Sequence, residues 1–376
     1  MKNKTRIILS AIALWFVLFL ILDWWNSYPK VKVIPIVTVE TVQDKIDSLL
    51  QNSLREYTLA GIGVGIVKDR KIIYQNAFGY QNLQTLDSFS VNTLVPTASI
   101  SKLFTALAIA NFLSSKEIKA DQRVSSLSVP TSSESQLGQL TFRDFLEHQT
   151  GLKNPGLVKK LFSPDVAKPL KEYGNHLWRE DHQIPDSLPY EYHDGNFDML
   201  GFFLQESSQQ SFENYLRTNI LIPSGMTHSF FTKQWPIDTI PAVGYQETLV
   251  WRRMEPRPIT FERSPSPSSG LISSIEDLNL FLIHLLRGEM GIFQEELNWL
   301  TPESGEAPLG FQKIQLATGE WYGHYGGQAG YSSLLIYSPT QNLGLILLVN
   351  TRDSKNFRKK IMDQLVQILS SIPPST

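Results

Sequence analysis

Strand patterns lie at the two ends of the chain and are missing from its middle, and this limits the topology more than any other feature. "GIGVGIVKDRKIIYQNAFGYQN" (61–82) reads as two strands joined by a polar turn at Lys68–Lys71. "GYSSLLIYSPTQNLGLILLVN" (330–350) reads as a hairpin around Pro339–Asn342, in a β pattern that begins after Trp321. Residues 155–260 are rich in Pro, aromatics and short helix patterns, with no alternation until about Gly244. Amphipathic helix patterns, "TVQDKIDSLLQNSLREY" (41–57) and "KNFRKKIMDQLVQILSSI" (355–372), flank the whole. There is no internal repeat. The expectation is an α+β fold: an antiparallel sheet built from both chain ends, flanked by N- and C-terminal helices, with a mainly helical subdomain at about 105–260 inserted between its strands. Gly61, Gly63 and Gly65 do not make a dinucleotide loop, because the run passes into a second strand and opens no helix.

Composition narrows the function classes. The 376 residues include no cysteine, which excludes disulfides, thiolate metal sites, a cysteine nucleophile and a lipid-modified cysteine. A net charge of −2 gives no reason to expect nucleic acid. Lys2, Lys4 and Arg6 precede "IILSAIALWFVLFLIL" (7–22), which Asp23, Trp24 and Trp25 follow. Such a run spans roughly the hydrocarbon thickness, with basic residues on the cytoplasmic side and tryptophans at the far interface. A cleaved signal peptide would show a small-x-small site, and "DWWNSYPK" has none. Residues 1–25 are therefore read as a single-pass anchor, 26–40 as a tether, and 41–370 as an extracytoplasmic domain.

"PTASISKLFTALAIANFL" (96–113) is a helix pattern with two serines and a lysine at its mouth. One reading is capping by Ser99, with Lys102 in solvent. The other is a nucleophile: residues i and i+3 share a helix face, so Ser99 Oγ can meet the Lys102 amine while Ser101 points elsewhere. The stretch alone does not decide. "TFRDFLEHQTGL" (141–152) reads as a short helix capped by Thr141 and ended at Gly151. No histidine pair has metal-ligand spacing, and neither a metal nor a cofactor is expected.

Several stretches, taken in order over about residues 42–365, resemble the serine β-lactamase and penicillin-binding-protein superfamily in its class C-like branch, which also holds esterases, D-aminopeptidases and carboxypeptidases. "PTASISKLFTALAI" is similar to its Ser-x-x-Lys helix, "LEHQTGL" to its His-x-Thr-Ser-Gly-Leu marker, and "YEYHDGNFDMLG" to its Tyr-x-Asn segment. "LIPSGMTHSFF" and "SPSSGLISSIEDLNLFL" are similar to two further segments, and "HYGGQAGYSS" to its Lys-Thr-Gly or His-x-Gly strand. The resemblance implies Ser99 as nucleophile, Lys102 and Tyr192 as its proton-transfer partners, the backbone N–H groups of Ser99 and Gly327 as oxyanion donors, and Gly326 and His324 on the substrate-facing strand. It implies a structural role for His148, fixing a loop, and a His193 that points away from the site.

Two departures bear on substrate choice. Asp194 stands where the family has Asn, and His324 where many members have Lys. An ionised Asp194 only accepts hydrogen bonds, and would pair with Lys102 and keep it protonated. His324 is either a neutral hydrogen-bonding residue or a partial cation. Arg252, Arg253 and Arg257 are candidates for an alternative carboxylate anchor. The expected function is a membrane-anchored serine hydrolase for an ester or amide in a small molecule or peptide, cell-wall peptides included, and a poor β-lactamase. The alternative is a non-catalytic penicillin-binding-like sensor that keeps the fold.

Overall fold

The computed structural model describes residues 2–33, 39–127, 135–153, 169–180, 184, 187–233, 240, 242–257, 259, 267–286, 291–301 and 308–371. Its helices are α1 (Lys2–Trp25), α2 (Val42–Glu56), α3 (Ser101–Ser114), α4 (Phe142–Leu146), α5 (Leu170–Arg179), α6 (Asp194–Ser208), α7 (Phe212–Leu216), α8 (Ile275–Leu286), α9 (Gln294–Leu300) and α10 (Phe357–Ser370). The strands are β1 (Gly61–Lys68), β2 (Lys71–Asn82), β3 (Asp87–Ser88), β4 (Val95–Pro96), β5 (Phe230–Phe231), β6 (Tyr245–Glu247), β7 (Met254–Pro256), β8 (Leu271–Ser273), β9 (Gln312–Leu316), β10 (Gly319–Gln328), β11 (Tyr331–Ser338) and β12 (Leu343–Val349).

The main sheet has seven strands in the order β3-β2-β1-β12-β11-β10-β9. The β1–β12 pairing is antiparallel, with Ile62 opposite Val349 and Lys68 opposite Leu343, so both chain ends meet at its centre. Successive side chains on a strand point to opposite faces. Leu345, Leu347 and Val349 accordingly pack with Ile46, Leu50, Ile361 and Leu365 of α2 and α10. Ile346 and Leu348 pack into the larger core with α3, α6 and α8. Both faces are covered, which is why β11 and β12 read as continuous apolar runs. The helix pattern at 41–57 holds as α2, where Thr41 and Asp44 close a capping box.

The glycines of β1 have a packing cause. A Cβ on Gly65 would lie 2.2 Å from Asn279 Oδ1, so α8 can sit on the strand only where a side chain is missing.

Three expectations are corrected. The β pattern starts earlier than Trp321, because β9 (Gln312–Leu316) forms the sheet edge. The 141–152 helix keeps its Thr141 capping box but ends at Leu146. His148 (φ 57°) and Gly151 (φ 73°) then turn the chain through left-handed conformations. One short strand also interrupts the middle region before Gly244: β5, which pairs with β8 in a three-stranded sheet that β4 completes beneath the mouth of α3.

Near the N-terminus, α1 is exposed along its apolar length, and among the described residues it is the one helix long and apolar enough to cross a membrane. Beyond it the described part of 26–33 is packed down. Tyr28 exchanges backbone hydrogen bonds of 2.7 and 2.9 Å with Met254 of β7, and Val31 packs against the core.

Candidate active site

The start of α3 is a strained turn. Ala98 adopts φ +50°, which costs an ordinary L-residue about 1–2 kcal/mol and is held here by surrounding contacts. Residues 98–100 form one 3₁₀ turn before α3 proper. No serine side chain caps the helix, so the capping reading of Ser99 fails locally. Ser101 is fully buried; its Oγ donates to Ala98 O at 2.6 Å and accepts from Leu271 N at 2.9 Å. Ser99 is only half-buried, with its hydroxyl free of such structural work.

Lys102 is not in solvent. Its side chain is 0 % exposed, and Nζ donates to Ser99 Oγ (3.0 Å), Asp194 Oδ1 (2.8 Å) and Ser268 O (3.0 Å). Those three acceptors match the three protons of an ammonium. Burial works against its charge, but Asp194 and Tyr192 outweigh it, and the pKa stands above the ordinary lysine value. Tyr192 Oη lies 2.9 Å from Ser99 Oγ, and Nζ sits 5.0 Å from the centre of the phenol ring.

Tyr192 lies in an extended segment just before α6, and a set of buried groups fixes that segment. His148 Nδ1 accepts from His193 N (3.3 Å), while Asn196 Nδ2 lies 3.0 Å from it. Thr150 Oγ1 donates to Asn196 Oδ1 at 2.6 Å, and Glu191 N donates to His148 O at 2.9 Å. An Nδ1 that accepts a backbone N–H carries no proton, so His148 holds its proton on Nε2. Its ring centre is 4.5 Å from that of Tyr192. Burial and then the Lys102 charge push its pKa down to about 4. His193 points away from Ser99: its Nδ1 caps α6 by accepting from Gly195 N at 2.9 Å.

The opposite wall is β10. His324 is 2 % exposed, and burial followed by the Lys102 charge pushes its pKa down to about 3. Of the two readings left open by the sequence, the neutral one holds. Its Nδ1 lies 2.6 Å from Tyr325 O. A carbonyl oxygen only accepts, so this nitrogen carries the proton and Nε2 is left as an acceptor. The glycines differ in purpose. A Cβ at Gly326 would land 2.1 Å from Thr97 O, so this glycine lets β10 close against the turn that carries Ser99. Gly327 is exposed, and a Cβ there would meet only Arg358 Nη1 at 3.8 Å. A cleft of about 900 Å³ borders the site through His148 and His324 and is also lined by Tyr190, Phe311 and Tyr322.

The structure thus brings Ser99, Lys102, Tyr192 and Asp194 into one hydrogen-bonded group, with His324, Gly326 and Gly327 on the facing strand. Of the three arginines, Arg253 is committed elsewhere: it bonds Ser27 and stacks over Trp24 at the end of α1, while the Arg257 backbone pairs with Gly244 and Gly330. Sequence reasoning missed the Ser268 carbonyl, which has no side-chain signature, and Asn196. The one cue for Asn196 is its place four residues after Tyr192.

The Beta-lactamase family pattern matches residues 46–368, and this chain belongs to that family. It is 25% identical over 330 residues to Protein flp of Staphylococcus aureus (strain COL), covering 82% of this chain and 63% of the relative, so it spans less than two thirds of that protein. The octameric penicillin-binding protein homologue from Pyrococcus abyssi superposes with a TM-score of 0.70 at 22% identity, over 87% of this chain and 77% of that one. D-amino acid amidase from Ochrobactrum anthropi SV3 does so with a TM-score of 0.71 at 17% identity, over 88% and 98%.

Proposed function

We propose that this protein is a membrane-anchored serine hydrolase that opens an ester or amide through an acyl-Ser99 intermediate. One observation carries the reading: Lys102 Nζ and Tyr192 Oη both meet Ser99 Oγ, at 3.0 and 2.9 Å. An ammonium with all three protons committed has no lone pair, so Tyr192 is the group left to act as base, and Lys102 is the fixed positive charge beside it.

As Ser99 Oγ bonds to the acyl carbon, its proton passes to Tyr192 Oη. The carbonyl oxygen takes up the electron pair, and the backbone N–H groups of Ser99 and Gly327 receive it. When the bond to the leaving oxygen or nitrogen breaks, Tyr192 returns the proton to that atom. Water then gives a proton to Tyr192, adds to the acyl carbon, and releases Ser99, which takes the proton back. Gly326 keeps β10 close enough to line the bound substrate.

The preferred substrates are simple esters and D-amino peptides or amides, not β-lactams. A neutral His324 offers no fixed charge to a carboxylate. Asp194 is engaged by Lys102 and can only accept, so it does not serve a substrate's amide oxygen. The D-amino acid amidase neighbour supports the same substrate class. The exposed apolar length of α1 supports a single span, and the basic residues before it favour a catalytic body outside the cytoplasm.

A fluorophosphonate probe followed by intact-mass measurement tests the proposal. The wild type and Ser101→Ala carry the adduct, whereas Ser99→Ala does not and loses about 10³-fold or more in kcat. An adduct on Ser99→Ala assigns the wrong nucleophile, and no adduct on any form leaves a binder that kept the fold.

A further inference from the structure

The hairpin of β6 and β7 ends in three consecutive apolar residues that face outward: Leu249 (89 % exposed), Val250 and Trp251. Leu249 is the most exposed large apolar residue among the described ones, α1 included. Its hairpin is not a loose loop. At the base, Tyr245 N donates to Asn350 O at 3.0 Å and so ties the strand pair to the end of β12. Along its side, Tyr28 pairs with Met254, and Arg253 holds Ser27 through Oγ (2.9 Å) and O (2.6 Å) while its guanidinium lies 5.0 Å from the Trp24 ring. At the tip, Trp251 Nε1 donates to Leu20 O at 3.0 Å.

That last bond sets the height of the tip. Leu20 lies inside the apolar run 7–22, five residues before the end of α1, or about 8 Å down the helix axis. A tip bonded there stands about 6–8 Å below Trp24 and Trp25, on the acyl-chain side of their level. The neighbouring Arg252 is exposed, and Arg253 is close by, so the apolar tip carries a basic collar. An indole with an apolar body and one donor, apolar neighbours and flanking arginines are the chemistry of the boundary between acyl chains and anionic headgroups.

We infer that the β6–β7 tip, Leu249–Trp251, is seated in the outer interface of the lipid bilayer beside α1, as a second and non-spanning membrane contact of the catalytic body. The inference rests on the reading of α1 as the anchor. Continuity of the tip with the apolar part of α1 is what selects lipid as the occupant over a second copy or another protein. Because the base of the hairpin is bonded to the sheet, two supports hold the body at one height and tilt on the membrane.

The chain has no cysteine, so a single Leu249→Cys in the full chain can be labelled alone with an NBD fluorophore. The labelled protein is placed in vesicles of phosphatidylcholine and phosphatidylglycerol, with nitroxides at the headgroup or high on the acyl chain. The 249 label is expected to shift to the blue and lose most of its emission to these shallow nitroxides, while a label at Ile222→Cys keeps its own. A label at Phe16→Cys in α1, read against a further nitroxide near the end of the acyl chain, reports on the anchor separately. Quenching at 16 without quenching at 249 overturns the inference and leaves the anchor standing; quenching at neither overturns both. Quenching at 249 alone keeps the tip in lipid and removes the spanning helix. A blue shift at 249 without lipid quenching means that protein covers the tip, and it overturns the inference.

Discussion

Lys102 on α3 and His324 on the facing strand β10 are buried to almost equal depth, 0 % and 2 % exposed, and take opposite charge states. Burial opposes the charge on both. Lys102 has a carboxylate oxygen at 2.8 Å and two further oxygens around Nζ, so it remains an ammonium. His324 has only a carbonyl oxygen at 2.6 Å, and the Lys102 charge works against a second cation. Depth alone therefore does not set protonation at this site; the partner does. The helix wall supplies one fixed cation, and the strand wall supplies a neutral acceptor.

The largest effect comes from breaking the helix wall. Lys102→Ala and Tyr192→Phe should each lower kcat by about 10²–10⁴-fold. If the two act as one proton-transfer unit, the double variant loses little more than the worse single one. Losses that multiply in a steady-state assay would give the two residues separate roles. Next comes an attempt to make the walls alike. His324→Lys adds a charged donor to the strand wall. It should raise kcat/KM for a chromogenic cephalosporin relative to a p-nitrophenyl ester by about tenfold to a hundredfold, the worth of one charge-assisted hydrogen bond. An unchanged ratio would mean that the neutral imidazole does not set substrate choice.

The last effect is on stability. His148 and His324 have folded pKa values of about 4 and about 3, while an unfolded histidine titrates near 6.5. Above about pH 6.5 both states are neutral and stability does not depend on them. Below it the unfolded chain binds protons that the native site refuses, so stability falls as pH drops toward 4. By pH 5 each histidine contributes a loss of about 2 kcal/mol at most. Urea unfolding between pH 7 and 5 should show this slope, and His148→Asn should make it shallower. An identical slope in the variant would place the titrating group elsewhere.

The nucleophile side was readable because spacing puts Ser99 and Lys102 on one helix face and the resemblance of the ordered motifs chose catalysis over capping; the two strand pairs and the terminal helices have clear periodicity. What was hidden falls into two kinds. Backbone groups such as Ser268 O leave no trace in residue identity. Packing relations such as Gly326 against Thr97 O, or Gly65 under Asn279, look in sequence like any glycine in a strand. Strand β9 was missed for a related reason: "QKIQL" is short and half polar, as edge strands are. The charge state of His324 needed its burial, which a single residue in a strand pattern does not reveal.

The β1–β12 pairing also bears on how the chain is made in the cell. Partners such as Gly65 and Ile346 lie about 280 residues apart, at the centre of the sheet and not at its margin. At about 5–20 residues per second, β1 and β2 wait tens of seconds for the strand that completes them. Throughout synthesis the early hairpin presents an open, apolar edge able to pair with other nascent chains. Holding that edge apart until residue 349 emerges is a task for chaperones, and a chain stopped before β12 would aggregate instead of folding to a smaller domain.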